Sequence, residues 1–119
     1  MLRARFTKRA RLLKPAEFTR VFDTSTRSRD RYFTVLAKPS DLVYPRLGLA
    51  ISKKSAKYAV ARNRIKRIIR ESFRRHQQNL HGVDFVVLAK PEAAVTNNEL
   101  LFSSLEKHWI RLSKLCGHF

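Results

Sequence analysis

Residues 58–76 (YAVARNRIKRIIRESFRRH) constrain this chain more than any other stretch. At about 100° per residue, Ala61, Ile65, Ile68, Ile69, Ser72 and Phe73 fall into one stripe, while Asn63, Lys66, Arg67, Arg70 and Arg74 occupy the opposite side. A segment divided in this way is stable only as a helix whose apolar side is covered by another layer. Three runs can supply that layer. Residues 32–37 (YFTVLA) are aromatic and β-branched; residues 46–52 (RLGLAIS) put Leu47, Leu49 and Ile51 on one face; residues 83–89 (VDFVVLA) are nearly all apolar, as a strand buried on both sides is.

Punctuation completes the outline. Pro15, followed by Ala16, Glu17 and Phe18, suits the first turn of a short helix ending near Asp23. Residues 24–30 are polar and read as a loop, and Pro39 and Pro45 bracket a turn. Gly82 closes the long helical unit, and Asn97 or Asn98 can cap a final helix to about Leu115, with Leu101, Leu105, Trp109 and Leu112 at helical spacing. The expected architecture is α+β in the order α-β-β-α-β-α: a two-layer sandwich of a central sheet with about three helices. The 119 residues suit one domain, with 1–14 as a basic N-terminal arm.

Charge points to the partner. Lys and Arg number 26 against 9 Asp and Glu, a net +17. Residues 1–31 carry ten basic and three acidic side chains, 32–52 two and one, 53–75 ten and one, and 76–119 four of each. The excess therefore lies in the first two thirds, where a polyanion is expected to bind, and the last third reads as scaffold. A membrane is the weaker partner, since no run approaches the roughly 18 consecutive apolar residues of a spanning helix. The N-terminus lacks the apolar core of a secretory signal. Although it is Arg-rich like a mitochondrial transit peptide, Leu12, Leu13, Phe18 and Phe22 lead straight into the domain. Cys116 is the single cysteine, which precludes an internal disulfide and fits a reducing cytoplasm, as a bystander rather than a nucleophile.

Protein-borne catalysis finds little support. The four histidines, His76, His81, His108 and His118, have no metal-ligand spacing and are expected to be exposed. The carboxylates are scattered, with Asp84 and Glu92 the nearest approach to a pair, whereas a two-metal nuclease needs several converging acids. No residue is assigned to catalysis or to a metal. DNA binding is disfavoured by the lack of a helix-turn-helix pattern or dimer seam.

The outer side of 53–75 suits RNA instead. Arginine forks hold phosphate bidentately or stack on bases, and the neutral Asn63 among them can hydrogen-bond a base edge or a 2′-hydroxyl. Arg62-Asn63-Arg64-Ile65-Lys66-Arg67, preceded by Ser52-Lys53-Lys54, resembles the RNR signature of the bacterial ribonuclease P protein family. The resemblance extends over nearly the whole chain. It takes in Phe18-Thr19-Arg20-Val21-Phe22, Leu47-Gly48-Leu49 before the lysine pair, and Asp84-Phe85-Val86-Val87, in the family's order.

That resemblance implies a fold with a left-handed βαβ crossover, against the usual right-handed rule. It also implies a division of labour in which an RNA subunit, with bound Mg²⁺, hydrolyses precursor transfer RNA to release its 5′ leader. On the family pattern, Arg62, Asn63, Arg64, Lys66, Arg67 and Arg70, approached by Lys53 and Lys54, grip the catalytic RNA. Phe18, Phe22 and Phe33 border a cleft for the leader between the sheet and the first helix, with Lys90 near its path. At Thr34, Leu36 and Ala50, where the family pattern admits polar or aromatic groups, this chain has smaller or aliphatic ones. Precursor transfer RNA and the RNA subunit are the implied partners, with no obligate protein partner. A ribosomal-protein-like module that binds RNA without a catalytic partner is the alternative that charge alone leaves open. Phe18 and Phe22, four apart on one helix face, suit either core packing or base stacking, and a cleft wall satisfies both.

Overall fold

The computed structural model describes residues 11–12, 14–80 and 82–116. Most of the basic arm (1–10 and Leu13), together with His81 and His118, lies outside the described residues. Among the described residues eight main elements follow in order: α1 (Pro15–Asp23), β1 (Thr26–Arg29), β2 (Phe33–Pro39), β3 (Arg46–Ala50), α2 (Ala59–His76), β4 (Val83–Ala89), α3 (Pro91–Ala94) and α4 (Asn98–Leu115). A 3₁₀ turn over Gln77–Asn79 extends α2. The expected α+β class holds, with one strand and one short helix more than the sequence pattern predicts.

The four strands form one mixed sheet in the order β1-β2-β4-β3. β1 and β4 each pair antiparallel with β2, and β3 runs parallel to β4. β3–α2–β4 is thus a crossover between adjacent parallel strands, the unit the family resemblance implies. Residues 24–30 correct the expected loop, because β1 lies there in register with β2 from Thr26↔Ala37 to Arg29↔Thr34. Its sequence, TRSR, is polar because only Ser28 points into the core.

Strand alternation divides the core. On one face Phe33, Val35, Ala37, Leu47, Phe85 and Val87 pack against Ile65, Ile68, Ile69 and Phe73 of α2 and Leu101, Leu105, Trp109 and Leu112 of α4. Phe73, Phe85 and Trp109 meet edge to face, with centroids 5.2–6.3 Å apart, an arrangement suited to the ring quadrupoles. The Trp109 indole donates to Ser72 Oγ at 2.9 Å, so neither buried polar group is left unpaired. Asn97 caps α4, accepting from Leu100 N at 3.0 Å. On the opposite face α1 crosses part of the sheet, burying Val21 against Leu36, Val86 and Leu12. Leu12 also donates its N–H to Leu47 O at 2.9 Å along the outer edge of β3. Among the described residues, no helix is long and apolar enough to cross a membrane.

Candidate nucleic-acid interface

Helix α2 presents its cations unevenly. Asn63, Arg67 and Arg70 are exposed, Lys66 is half-buried, and Lys53 and Lys54 are exposed in the turn after β3. The two arginines of the RNR run, by contrast, are engaged within the protein. Arg62 donates through Nη1 to Ala56 O and Lys57 O, both at 2.9 Å. Arg64 donates to Asn98 Oδ1 at 2.6 Å and to Ala93 O and Thr96 O at 3.1 Å. These acceptors lie beside the ends of α2, α3 and α4, and a guanidinium reaches several at once. Both side chains therefore hold the loops beside α2. Glu71 pairs with Arg74 and Arg75. Its carboxyl sits below the usual range, chiefly through the Arg74 hydrogen bond.

This distinction has a measurable consequence. Arg64→Ala is expected to cost about 1–2 kcal/mol of stability, since charge-assisted bonds to partly exposed carbonyls are lost. Arg67→Ala is expected to leave melting unchanged and to lower the log–log salt slope of RNA binding by roughly 0.7–0.9. Equal melting temperatures for the two variants would remove the distinction.

The other face of the sheet forms the cleft. Phe18 lies over Gly48, where an added Cβ would stand 2.6 Å from the ring. Glycine is what lets the ring approach the strand. Phe22, one turn on, is 39% exposed. Phe33 does not join them. On β2, residues 33, 35 and 37 point toward α2 and α4 while 34, 36 and 38 point toward α1, and Phe33 is fully buried on the helix-covered face. Its expected place at the cleft is corrected by strand period alone. Of the positions flagged on the cleft face, Thr34 and Ala50 are half-buried and Leu36 is buried. Lys90 is half-buried and tied to the β1–β2 turn, its Nζ donating to Asp30 O and its N–H to Tyr32 O.

The basic helix and the cleft meet along β3. Lys66 and Arg70 share a groove with Phe18, Leu12 and Leu49. Lys66 also borders a hollow with Ala50, Ser52 and Leu88 at the C-terminal end of β3. The groove thus has cations from α2 and the aromatic ring of Phe18 in one lining.

α1 is held in place by a buried ion cluster. Asp84, fully buried, accepts from Arg46 Nε at 2.9 Å and Arg46 Nη2 at 2.8 Å, and it also pairs with Arg20. Arg46 in turn pairs with Glu17, whose other oxygen accepts from Lys14 N at 3.0 Å. Hydrogen bonding to Asp84 is the largest influence holding Arg46 in its charged form. Asp84 is thus an anchor between sheet and helix, and Glu92 does not share its site.

Sequence reasoning missed a second polar cluster. His108, expected exposed, is 3% exposed, with Nδ1 2.7 Å from Ser28 Oγ and Nε2 3.1 Å from Asp30 Oδ2. Desolvation pushes the imidazole below its ordinary pKa, against the pull of Asp30. Burial works to raise the Asp30 carboxyl, but Ser104 and the N–H groups of Phe33 and Tyr32 outweigh it and leave it low. His76 is half-buried, its Nδ1 2.8 Å from Ser72 O. Among the described residues no three His, Cys, Asp or Glu side chains are grouped as they would be in a metal cluster. The Cys116 thiol is raised by burial, away from the reactive thiolate.

Comparison with known proteins gives a single answer. The sequence model of the family described as Ribonuclease P matches residues 6–113. The ribonuclease P protein component of Methylococcus capsulatus is 49% identical over 112 residues, covering 94% of this chain and 88% of that protein. The one from Photobacterium profundum is 49% identical over 110 residues, covering 92% and 93%. Among solved structures, a Staphylococcus aureus RNase P protein mutant with defective mRNA degradation activity superposes with a TM-score of 0.82 at 33% identity, over 90% of both chains. The Thermotoga maritima RNase P protein gives 0.76 at 27% identity, over 85% of this chain and 96% of that one.

Proposed function

The chain belongs to the ribonuclease P protein family, and from that premise we propose that it binds a catalytic RNA through α2 and the single-stranded 5′ leader of precursor transfer RNA in the cleft beside α1. The observation that carries this reading is the groove along β3, where Lys66 and Arg70 face Phe18. Cations hold phosphates whatever the sequence, and rings stack on any base, so such a wall suits leaders that differ between transcripts. Asn63, Arg67 and Arg70, with Lys53 and Lys54, contact the RNA subunit. Arg62 and Arg64 keep the neighbouring loops in shape for that contact.

The protein's own groups bind and orient; the RNA subunit carries the hydrolysis, with Mg²⁺ held by its phosphates. Asp30, Asp84 and Glu71 are engaged in internal pairs or hydrogen bonds rather than gathered in a site. By neutralising phosphates, Lys and Arg replace part of the cation atmosphere that folded RNA otherwise draws from solution. Adding the protein to a ribonuclease P RNA and precursor transfer RNA is therefore expected to lower the Mg²⁺ needed for 5′ cleavage, while the RNA-free protein cleaves nothing. Specific cleavage by RNA-free protein would overturn the assignment of chemistry to the RNA. An unchanged Mg²⁺ requirement would overturn the subunit role.

A further inference from the structure

We propose that Arg27 and Arg29 of β1 form a second phosphate-binding strip, which holds the single-stranded leader after it has crossed the sheet; this rests on the leader-binding reading above. Register sets their direction. Arg27 pairs with Leu36 and Arg29 with Thr34, so both side chains rise on the face that α1 covers only in part. Both are exposed, and neither has a hydrogen-bond or ion-pair partner among the described residues. Two residues apart on an antiparallel strand, they are separated by about 6.8 Å, a spacing that lets each take a successive phosphate of an extended strand.

The strand carrying them is short, polar and at the sheet's edge, yet it is fixed from behind. Ser28, pointing the other way, meets the buried His108. Asp30 accepts from Ser104 and from the N–H groups of Tyr32 and Phe33 at 2.8 and 2.9 Å. Lys90 closes the same turn through Asp30 O. Asp30 is thereby turned to the turn and to α4 rather than to the two arginines. Charged residues on edge strands also discourage pairing with other chains. That role needs charge alone, not two guanidiniums on the cleft side of a strand pinned by a buried polar cluster.

The strip lies at the far side of the sheet from the groove at β3, three strand spacings or about 14 Å away. Contact with it therefore requires a leader long enough to cross four strands. The test uses the holoenzyme reconstituted with the double variant Arg27→Gln/Arg29→Gln. Affinity is measured at several salt concentrations for three RNAs: a precursor with a long leader, one with a single-nucleotide leader, and mature transfer RNA. The log–log salt slope for the long leader is expected to fall by about 1.4, roughly 0.7 per lost single-strand contact. Binding of the other two RNAs is expected to stay unchanged, and Arg27→Lys/Arg29→Lys is expected to keep the slope.

An equal loss for all three RNAs, or weaker assembly with the RNA subunit, overturns the proposal and assigns the pair to the RNA subunit. No loss for any RNA, with wild type still preferring the long leader, overturns it in favour of edge protection. A wild-type protein without preference for the long leader over mature transfer RNA overturns the underlying reading as well, and is told apart by that control.

Discussion

Arg46→Met is expected to destabilise the protein by about 3–5 kcal/mol, because it removes two charge-assisted hydrogen bonds from a carboxylate with no access to water and leaves it Arg20 alone. Asp84 has 0% exposure and takes two of its three hydrogen bonds from Arg46, at 2.9 and 2.8 Å, with Arg20 supplying the third. Arg20, the remaining cation, is 36% exposed and also donates to Pro39 O. A loss of this size lowers the melting temperature by on the order of 10–20 °C. The companion variant Arg46→Met/Asp84→Leu separates the causes. If the loss comes from a buried charge left short of partners, removing that charge recovers most of it, since apolar replacements of buried pairs are often neutral. A double variant as unstable as the single one would place the cost in packing instead. The same cluster seats α1 through Arg20 and Glu17, so the single variant should also loosen the cleft wall.

Phe22→Ala is the larger functional test. Phe22 stands one turn after Phe18 on α1 and is 39% exposed; on the proposed leader path, its truncation is expected to weaken holoenzyme binding of precursor transfer RNA by about 1–3 kcal/mol, the loss of one base stack. Affinity for mature transfer RNA should be unaltered and the melting temperature little changed. Phe18→Ala should behave differently, because that ring is half-buried over Gly48 and against Leu12. Its truncation is expected to cost stability toward the lower part of the range of about 3–5 kcal/mol for a buried Phe. Normal discrimination of precursor from mature RNA by a folded Phe22→Ala protein would remove α1 from the leader path.

What the sequence reveals here depends on where the cause of a structure lies. The stripe of α2, the apolar run of β4 and the Asn97 cap of α4 are local, so period and capping chemistry expose them. β1 is a strand for reasons found elsewhere: β2 supplies its hydrogen bonds, and His108, eighty residues on, receives its one inward side chain. Thr26-Arg27-Ser28-Arg29 carries no periodic apolar signal of its own. Phe33 shows a different failure. Its strand is legible, but its place in the cleft came from family likeness, and alternation with Val35 and Ala37 puts it on the other face. The site is legible as a surplus of cations, not as a choice among them. That Arg62, Arg64 and Lys90 turn to main-chain carbonyls, while Arg67 and Arg70 face solvent, depends on loops that only the tertiary fold brings near.

The strand order has a consequence for synthesis on the ribosome. β4 is the last strand made and sits between β2 and β3. The nascent chain can form the β1–β2 hairpin early, but β3 has no neighbouring strand to join until β4 emerges. At bacterial elongation rates the roughly forty intervening residues take on the order of a few seconds. Throughout that interval the apolar sides of β2, β3 and α2 lack their final cover. By residue 75 the emerging polypeptide already carries the whole +17 surplus, because residues 76–119 add four charges of each sign. Mutual repulsion between such chains protects the unfinished sheet while its middle is still missing.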